Sequence, residues 1–311
     1  AQKTPFVDAI MTASTFSNAG WNIISDPTAS SGLTWFIFDG ATDGFTSGNT
    51  RPMLMMENTQ NVRNAHQLQM IGANMSGSTY TLIGDIDLSS ALNNPSDVWG
   101  SNNISTHTGA GFVPLGSGEA NPGYFLTNSI NGQDGSGVTH SISNLYINRT
   151  GNVGFIADPN GILVENLILN SPTIISSGSG GHVGALIGDD ILGPGYTNIS
   201  HITINNGIVM STGDSNNIGG LMGSGYGENI SNITLNNTLV SATANDYAVG
   251  GIVGYLEYGG NVFNSQNANG TVTGGNGTGT GGLVGNAGGS GSIYNSYNSS
   301  SVTGPNNVGG I

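Results

Sequence analysis

The phrase Val249-Gly250-Gly251-Ile252-Val253-Gly254 decides the reading of this chain, because it recurs. Close copies are VGFI at Val153 to Ile156, VGALIG at Val183 to Gly188, IGGLMG at Ile218 to Gly223, TGGLVG at Thr280 to Gly285 and VGGI at Val308 to Ile311. Their starts lie 28 to 35 residues apart. A second phrase follows the first: VENLILNS from Val164, ISHITINN from Ile199, ISNITLNN from Ile230, VFNSQNAN from Val262 and IYNSYNSS from Ile293, with starts 31 to 35 residues apart. Two independent landmarks thus report one period of about thirty residues, the signature of a repeat architecture.

Within a unit the side-chain character alternates with the two-residue period of a strand, not the 3.6-residue period of a helix. About three short strands fit each unit: the Gly-rich one, the Ile-Ser-Asn one, and a third such as Leu239 to Ala242, Thr271 to Thr273 or Ser301 to Thr303. The expected fold is all-β, a right-handed parallel β-helix in which coils stack about 4.8 Å apart and bury their apolar side chains against one another. Paired glycines, Gly219 with Gly220, Gly250 with Gly251 and Gly281 with Gly282, mark tight turns or close backbone approach. Asn166, Asn232, Asn264 and Asn295 recur at one position and suggest an inward Asn ladder, with exposed turn residues as the alternative.

Working outward, residues 59–150 are less regular. Asn61 to Met75 places Val62, Ala65 and Leu68 on one face and predicts a short helix, capping or lateral to the coils. Tyr80 to Leu88 alternates as a strand, and Asn93 to Ala110 is long enough to project as a loop. Residues 1–58 hold Trp21, Trp35, Phe36, Phe38, Phe45 and Pro52, and fit the end of a preceding β module. Residues 151–311 carry the regular coils, and the stop at Ile311 falls inside a new Gly phrase, as in a fragment of a longer chain.

Composition excludes several classes of function. The chain of 311 residues has 53 Gly, no Cys and a net charge of −14, with only Lys3, Arg51, Arg63 and Arg149 as fixed positive charges. No basic surface exists to neutralise nucleic-acid phosphates, and thiol chemistry is absent. No apolar run approaches the roughly 20 residues that span a bilayer, so no direct membrane insertion of this segment is expected.

The Gly phrases resemble the GLUG repeat of large bacterial surface proteins of the filamentous-haemagglutinin and autotransporter-adhesin type, which also occurs beside some secreted immunoglobulin-cleaving metallopeptidases. Asn64-Ala65-His66-Gln67-Leu68, the strand with Asp85 and Asp87, Gly111 to Gly116 and His140 to Ile147 are similar, in order, to the lead-in of such modules, although Phe125 to Thr139 departs from the compact phrase usual there. The resemblance implies an exported or cell-surface segment, monomeric within a longer chain and without chemistry of its own. Its expected role is adhesive, towards a protein or glycan of a host or neighbouring cell. Two alternatives remain: an inert spacer presenting an enzyme or toxin elsewhere in the chain, and a β-helix enzyme acting on polysaccharide.

Candidate chemistry is sparse. Asp85 and Asp87 share a strand face but belong to the structural lead-in under the resemblance; Asp97, Asp134 and Asp158 have no evident partner. Asp189-Asp190 offers hard oxygen ligands suited to Ca²⁺, with a solvated acidic turn as the alternative, and no other cofactor is implied. His182 and His201 could stack on neighbouring units; no HExxH or Gly-x-Ser-x-Gly occurs. Ten Asn-x-Ser/Thr sites are what an Asn- and Ser-rich chain yields by chance, though exported relatives are glycosylated at such sites. Tyr226, Tyr255 and Tyr258 after successive Gly phrases, with Tyr294 and Tyr297 on the following strand, form the expected binding flank, or else pack the turns.

Overall fold

The computed structural model describes residues 12–29, 32–40, 50–117, 124–190, 195–214, 217–242, 245–277 and 279–311, so Lys3 and Phe45 lie outside the described residues. From Val153 onward the chain is a right-handed parallel β-solenoid. Because the Gly phrase turns in its middle, a coil makes four short strands rather than the three expected, and five in the coils that begin at Ala248 and Gly279, where the long strand is broken in two. One coil runs Asn217–Gly219, Met222–Tyr226, Asn229–Asn236 and Leu239–Ala242, and the next begins at Ala248–Gly250.

Successive coils pair in parallel and in register, which puts like residues on like. On the strand that opens each coil, Val153, Val183, Ile218, Val249, Thr280 and Val308 stack. After the glycine turn come Ile156, Ile187, Met222, Val253 and Val284. The long Asn-bounded strand stacks Val164, Ile199, Ile230, Val262 and Ile293, and the closing strand stacks Ile147, Ile174, Val209, Val240, Val272 and Val302. Except at the terminal coil, where Val308 is exposed and Ile293 and Val302 are half-buried, these four columns fill the interior with mostly β-branched side chains, buried because another coil lies on each side.

The glycine pairs allow the turn to be this tight. A Cβ on Gly219, Gly250 or Gly281 would fall inside the carbonyl oxygen of Met222, Val253 or Val284 of the same coil. A Cβ on Gly220, Gly251 or Gly282 would strike the carbonyl of Gly251, Gly282 or Gly310 in the following coil. Space, not backbone dihedral, demands glycine at these six positions.

The recurring Asn residues do not form an inward ladder. Asn166 and Asn232 are half-buried, Asn264 and Asn295 are exposed, and together with His201 they share a left-handed backbone, φ 49° to 56°, that bends the long strand. Asn tolerates that conformation better than most residues. The amide that does point inward is Asn267, which takes the column position of Leu169, Ile204 and Leu235; its Nδ2 donates to the carbonyl of Gly282 at 2.9 Å and to Oδ1 of Asn298 at 3.2 Å.

At the N-terminal end the predicted helix is shorter than its 61–75 window: Asn61–Val62 is a strand, Ala65–Met70 is α-helical and Ile71–Ala73 continues as a 3-10 turn. Asn64 caps it by accepting from the Gln67 amide at 2.9 Å, and Leu68 and Ile71 enter the core. The strand expected over 80–88 divides into Thr79–Leu82 and Ile86–Asp87. The 93–110 segment does not project freely. Trp99 is buried and donates to Gln69 Oε1 at 2.8 Å, while Arg51 donates to the carbonyls of Asp97 and Pro95. Residues Trp35–Phe36 pair with Ile23–Ile24 and Met53–Leu54, and Phe36, Phe38 and Met53 pack with Met70, Val113 and Ala157 of the lead-in and first coil.

Candidate functional site

The corner at which successive coils pass onto their long strands holds a row of tyrosines and, with them, buried acids. Two turns there have the same form, Tyr226-Gly227-Glu228 and Tyr258-Gly259-Gly260, and the coil before them supplies Tyr196. The Tyr226 and Tyr258 rings lie 4.5 Å apart at 30°, and Gly227, at φ 87°, lies directly against the Tyr196 ring. Tyr196 and Tyr258 are 61% and 62% exposed, with Tyr226 half-buried between them. Desolvation, then the neighbouring phenols, raises the Tyr226 hydroxyl above its usual pKa. Beside this row runs an amide ladder: Asn229 donates to Asn198 at 3.5 Å and Asn261 donates to Asn229 at 3.2 Å.

The five tyrosines expected to share a flank divide into two groups. Tyr255 is half-buried next to the corner and meets the exposed Tyr247 edge-on at 6.1 Å. Tyr294 and Tyr297 stand elsewhere, on the last long strand, where Tyr294 stacks on Phe263 at 5.0 Å and 3° and Tyr297 donates to Gln266 Oε1. Tyr196 and Tyr247 were not among the expected residues. Tyr196 precedes Asn198 by two positions where Tyr226 and Tyr258 precede Asn229 and Asn261 by three, an offset that conceals the correspondence.

Beneath the tyrosines, Asp189 and Asp190 are buried rather than solvated, and Glu228 is fully buried in the next coil. Asp190 Oδ2 accepts from the Thr197 amide at 3.2 Å, and Glu228 Oε1 accepts from the Tyr226 amide at 2.5 Å. Stacking then brings the two carboxyls together. Burial, and after it the charge of Glu228, pushes Asp190 up to about 9, and burial pushes Glu228 up to about 7.

The other acids are committed differently. Asp85 Oδ1 accepts from the Ser141 amide at 2.8 Å and hydroxyl at 3.0 Å; Asp87 Oδ1 accepts from Asn144 at 2.8 Å and from the Ser89 amide at 2.9 Å. These bonds hold both below the usual carboxylate range, opposite to what a general acid needs. The three acids without an evident partner all have one: Asp97 bonds His66 at 2.7 Å, Asp134 bonds His140 at 3.2 Å and Asp158 accepts from Asn152 at 2.7 Å. His66 is also held by Glu57 at 3.0 Å, which occupies both ring nitrogens. His182 and His201 form no pair: His182 precedes the Val183–Gly184 strand and meets Asn217 at 3.1 Å, whereas His201 is exposed on the long strand. Of the ten Asn-x-Ser/Thr sites, Asn103, Asn198, Asn229, Asn236, Asn269 and Asn276 are exposed, whereas Asn74, Asn148, Asn232 and Asn298 are half-buried.

Among the described residues no three His, Cys, Asp or Glu side chains converge on a metal position, and no helix is long and apolar enough to cross a membrane. No family model and no curated protein matches the chain. Among solved structures it is similar to a candidate immunoglobulin A1 protease from Bacteroides ovatus, with a TM-score of 0.59 and 22% identity over 86% of this chain and 72% of that one. At that identity the likeness concerns the fold.

Proposed function

We propose that this chain is a non-catalytic β-solenoid segment of a longer exported bacterial protein, serving as a spacer that presents an enzymatic module elsewhere in the polypeptide. The observation that carries this reading is the unbroken register of like residues from Val153 to Val308, which makes a stiff rod, while Asp85, Asp87 and Asp134 of the lead-in are spent on local hydrogen bonds. Support comes from the likeness to the B. ovatus protein, named for a protease, and from the GLUG-type phrases.

A second reading, an adhesive segment binding a surface glycan or protein, is favoured by one feature: the row of exposed Tyr196 and Tyr258 with half-buried Tyr226 beside the Asn198–Asn229–Asn261 amides. Aromatic faces and amide groups are the chemistry that recognises sugar rings and hydroxyls. Binding of the isolated chain to glycan arrays and cell surfaces, run beside assays for release of oligosaccharides, separates the readings. The spacer reading expects neither retention nor product. Retention abolished by Tyr258→Ala establishes the adhesive one, and released product overturns both.

A further inference from the structure

We infer that the tyrosine corner around Glu257 docks an arginine side chain of a partner polypeptide. The inference rests on the adhesive reading, whose tyrosine row it uses, and names the partner. It begins with charge. Eight Asp or Glu residues and no Lys or Arg follow Arg149, so no fixed positive charge stands in the coils to balance the acids. Glu257 ends the Val253–Glu257 strand at the corner and is only half-buried.

Stacking surrounds this carboxylate with rings. Tyr255 lies two positions earlier, on the same face of the strand. Desolvation, then the charge of Glu257 and a hydrogen bond to it, raises the Tyr255 hydroxyl above its usual pKa. Tyr226 pairs with Glu257 across the ladder, and Tyr258, the next residue, sets its ring 4.5 Å from that of Tyr226 while remaining 62% exposed. The following coil brings no side chain: Ala287 pairs with Leu256, which puts Gly288 at the level of Glu257. A Cβ on Gly288 would lie 3.1 Å from the Tyr255 hydroxyl and 3.7 Å from Glu257 Cγ, so its absence leaves a notch beside the carboxylate.

A half-open carboxylate framed by phenol rings matches a guanidinium, which stacks on aromatic faces and forks a carboxylate at once. Lysine offers a point charge without the planar fork. A neutral sugar would use the rings and leave the carboxylate without a counter-charge.

The test uses the whole chain and a pentapeptide of alternating glycine and arginine, with lysine and citrulline versions beside it, titrated at physiological salt and followed by tyrosine ring resonances in NMR. Saturable shifts are expected at Tyr226, Tyr255 and Tyr258, with Tyr294 and Tyr297 of the last long strand unmoved. Arginine should bind best and citrulline, its neutral isostere, should not saturate. Glu257→Gln should weaken the arginine peptide about threefold or more, as loss of an exposed charge pair does. Gly288→Ala, which meets only side chains, should weaken it as well by filling the notch.

Equal shifts at Tyr294 and Tyr297 would overturn the site, because an acidic chain would then be attracting the peptide as a whole. Citrulline binding as well as arginine overturns it without recourse to any variant, and so does full affinity in a folded Glu257→Gln. Absence of shifts with every peptide overturns it too. Glycan retention lost in Tyr258→Ala would in that case leave the adhesive reading standing, whereas loss of both leaves the spacer.

Discussion

The carbonyl oxygen of Gly251 occupies the place that a Cβ of Gly220 would need, one coil against the next. The same relation links Gly251 to Gly282, so a single methyl group at the middle glycine meets backbone, which cannot rotate away as a side chain can. Gly251→Ala should therefore destabilise the solenoid by about 3 kcal/mol or more, as overpacking against a fixed neighbour does. Gly135→Ala is the control: nothing lies within 4 Å of a Cβ there, and the change should stay within about 0.5 kcal/mol. Urea denaturation of both variants checks the contrast, and equal losses would refute it.

His182 is half-buried beside Asn217, and desolvation lowers its pKa to about 4 from 6.5. The unfolded chain takes up a proton at this residue below pH 6.5 while the folded chain does so only near pH 4. Stability must therefore fall as the pH is lowered across that window, by up to about 1.4 kcal/mol per pH unit from this group. His182→Gln should flatten the slope of unfolding free energy between pH 6.5 and 4. An unchanged slope would mean that water reaches the imidazole.

Asn267 and Asn298 replace the aliphatic column of the earlier coils with a pair of amides bonded at 3.2 Å, and Asn267 also holds the Gly282 carbonyl. Asn267→Ala leaves buried partners unsatisfied and should cost about 1–3 kcal/mol. Because the two residues share one bond, the double Ala variant should cost less than the sum of the single ones. Additive losses in a double-mutant cycle would show that the amides act separately.

What could be read in advance follows from what repeats. Val153 to Val308 and Val164 to Ile293 were two landmarks in sequence, and each is one stacked column in space, because parallel coils of nearly constant length bring every equivalent residue into register. The Asn positions were visible for the same reason, but repetition reveals a shared requirement and not its nature; here it is a left-handed bend instead of an inward amide. The corner was not legible. Asp190 and Glu228 occupy different positions within their coils and meet only through stacking, and Tyr196 is shifted by one residue relative to Tyr226. Nor does anything periodic announce the clamp of Trp99, Gln69, His66 and Asp97 that pins the 93–110 segment, since those contacts occur once.

Asp87 links the lead-in to the coils, accepting from Asn144 at a residue whose backbone is left-handed, φ 58°, next to the Ser141–Ser143 strand that pairs with Ile86–Asp87. Its pKa is depressed by the Asn144 amide and then by the Ser89 amide. A carboxyl whose folded pKa lies below its unfolded 3.8 adds stability above that pH, and the contribution is lost as pH falls through the folded value. Asp87→Asn should thus lower the melting temperature at pH 7, and the gap from wild type should close below pH 3.8. The Asp85→Asn variant should behave alike, since Asp85 is lowered chiefly by the Ser141 amide of the same strand. A gap that widens on acidification would mean that these carboxylates repel their surroundings in the folded chain, and the lead-in would then need another anchor.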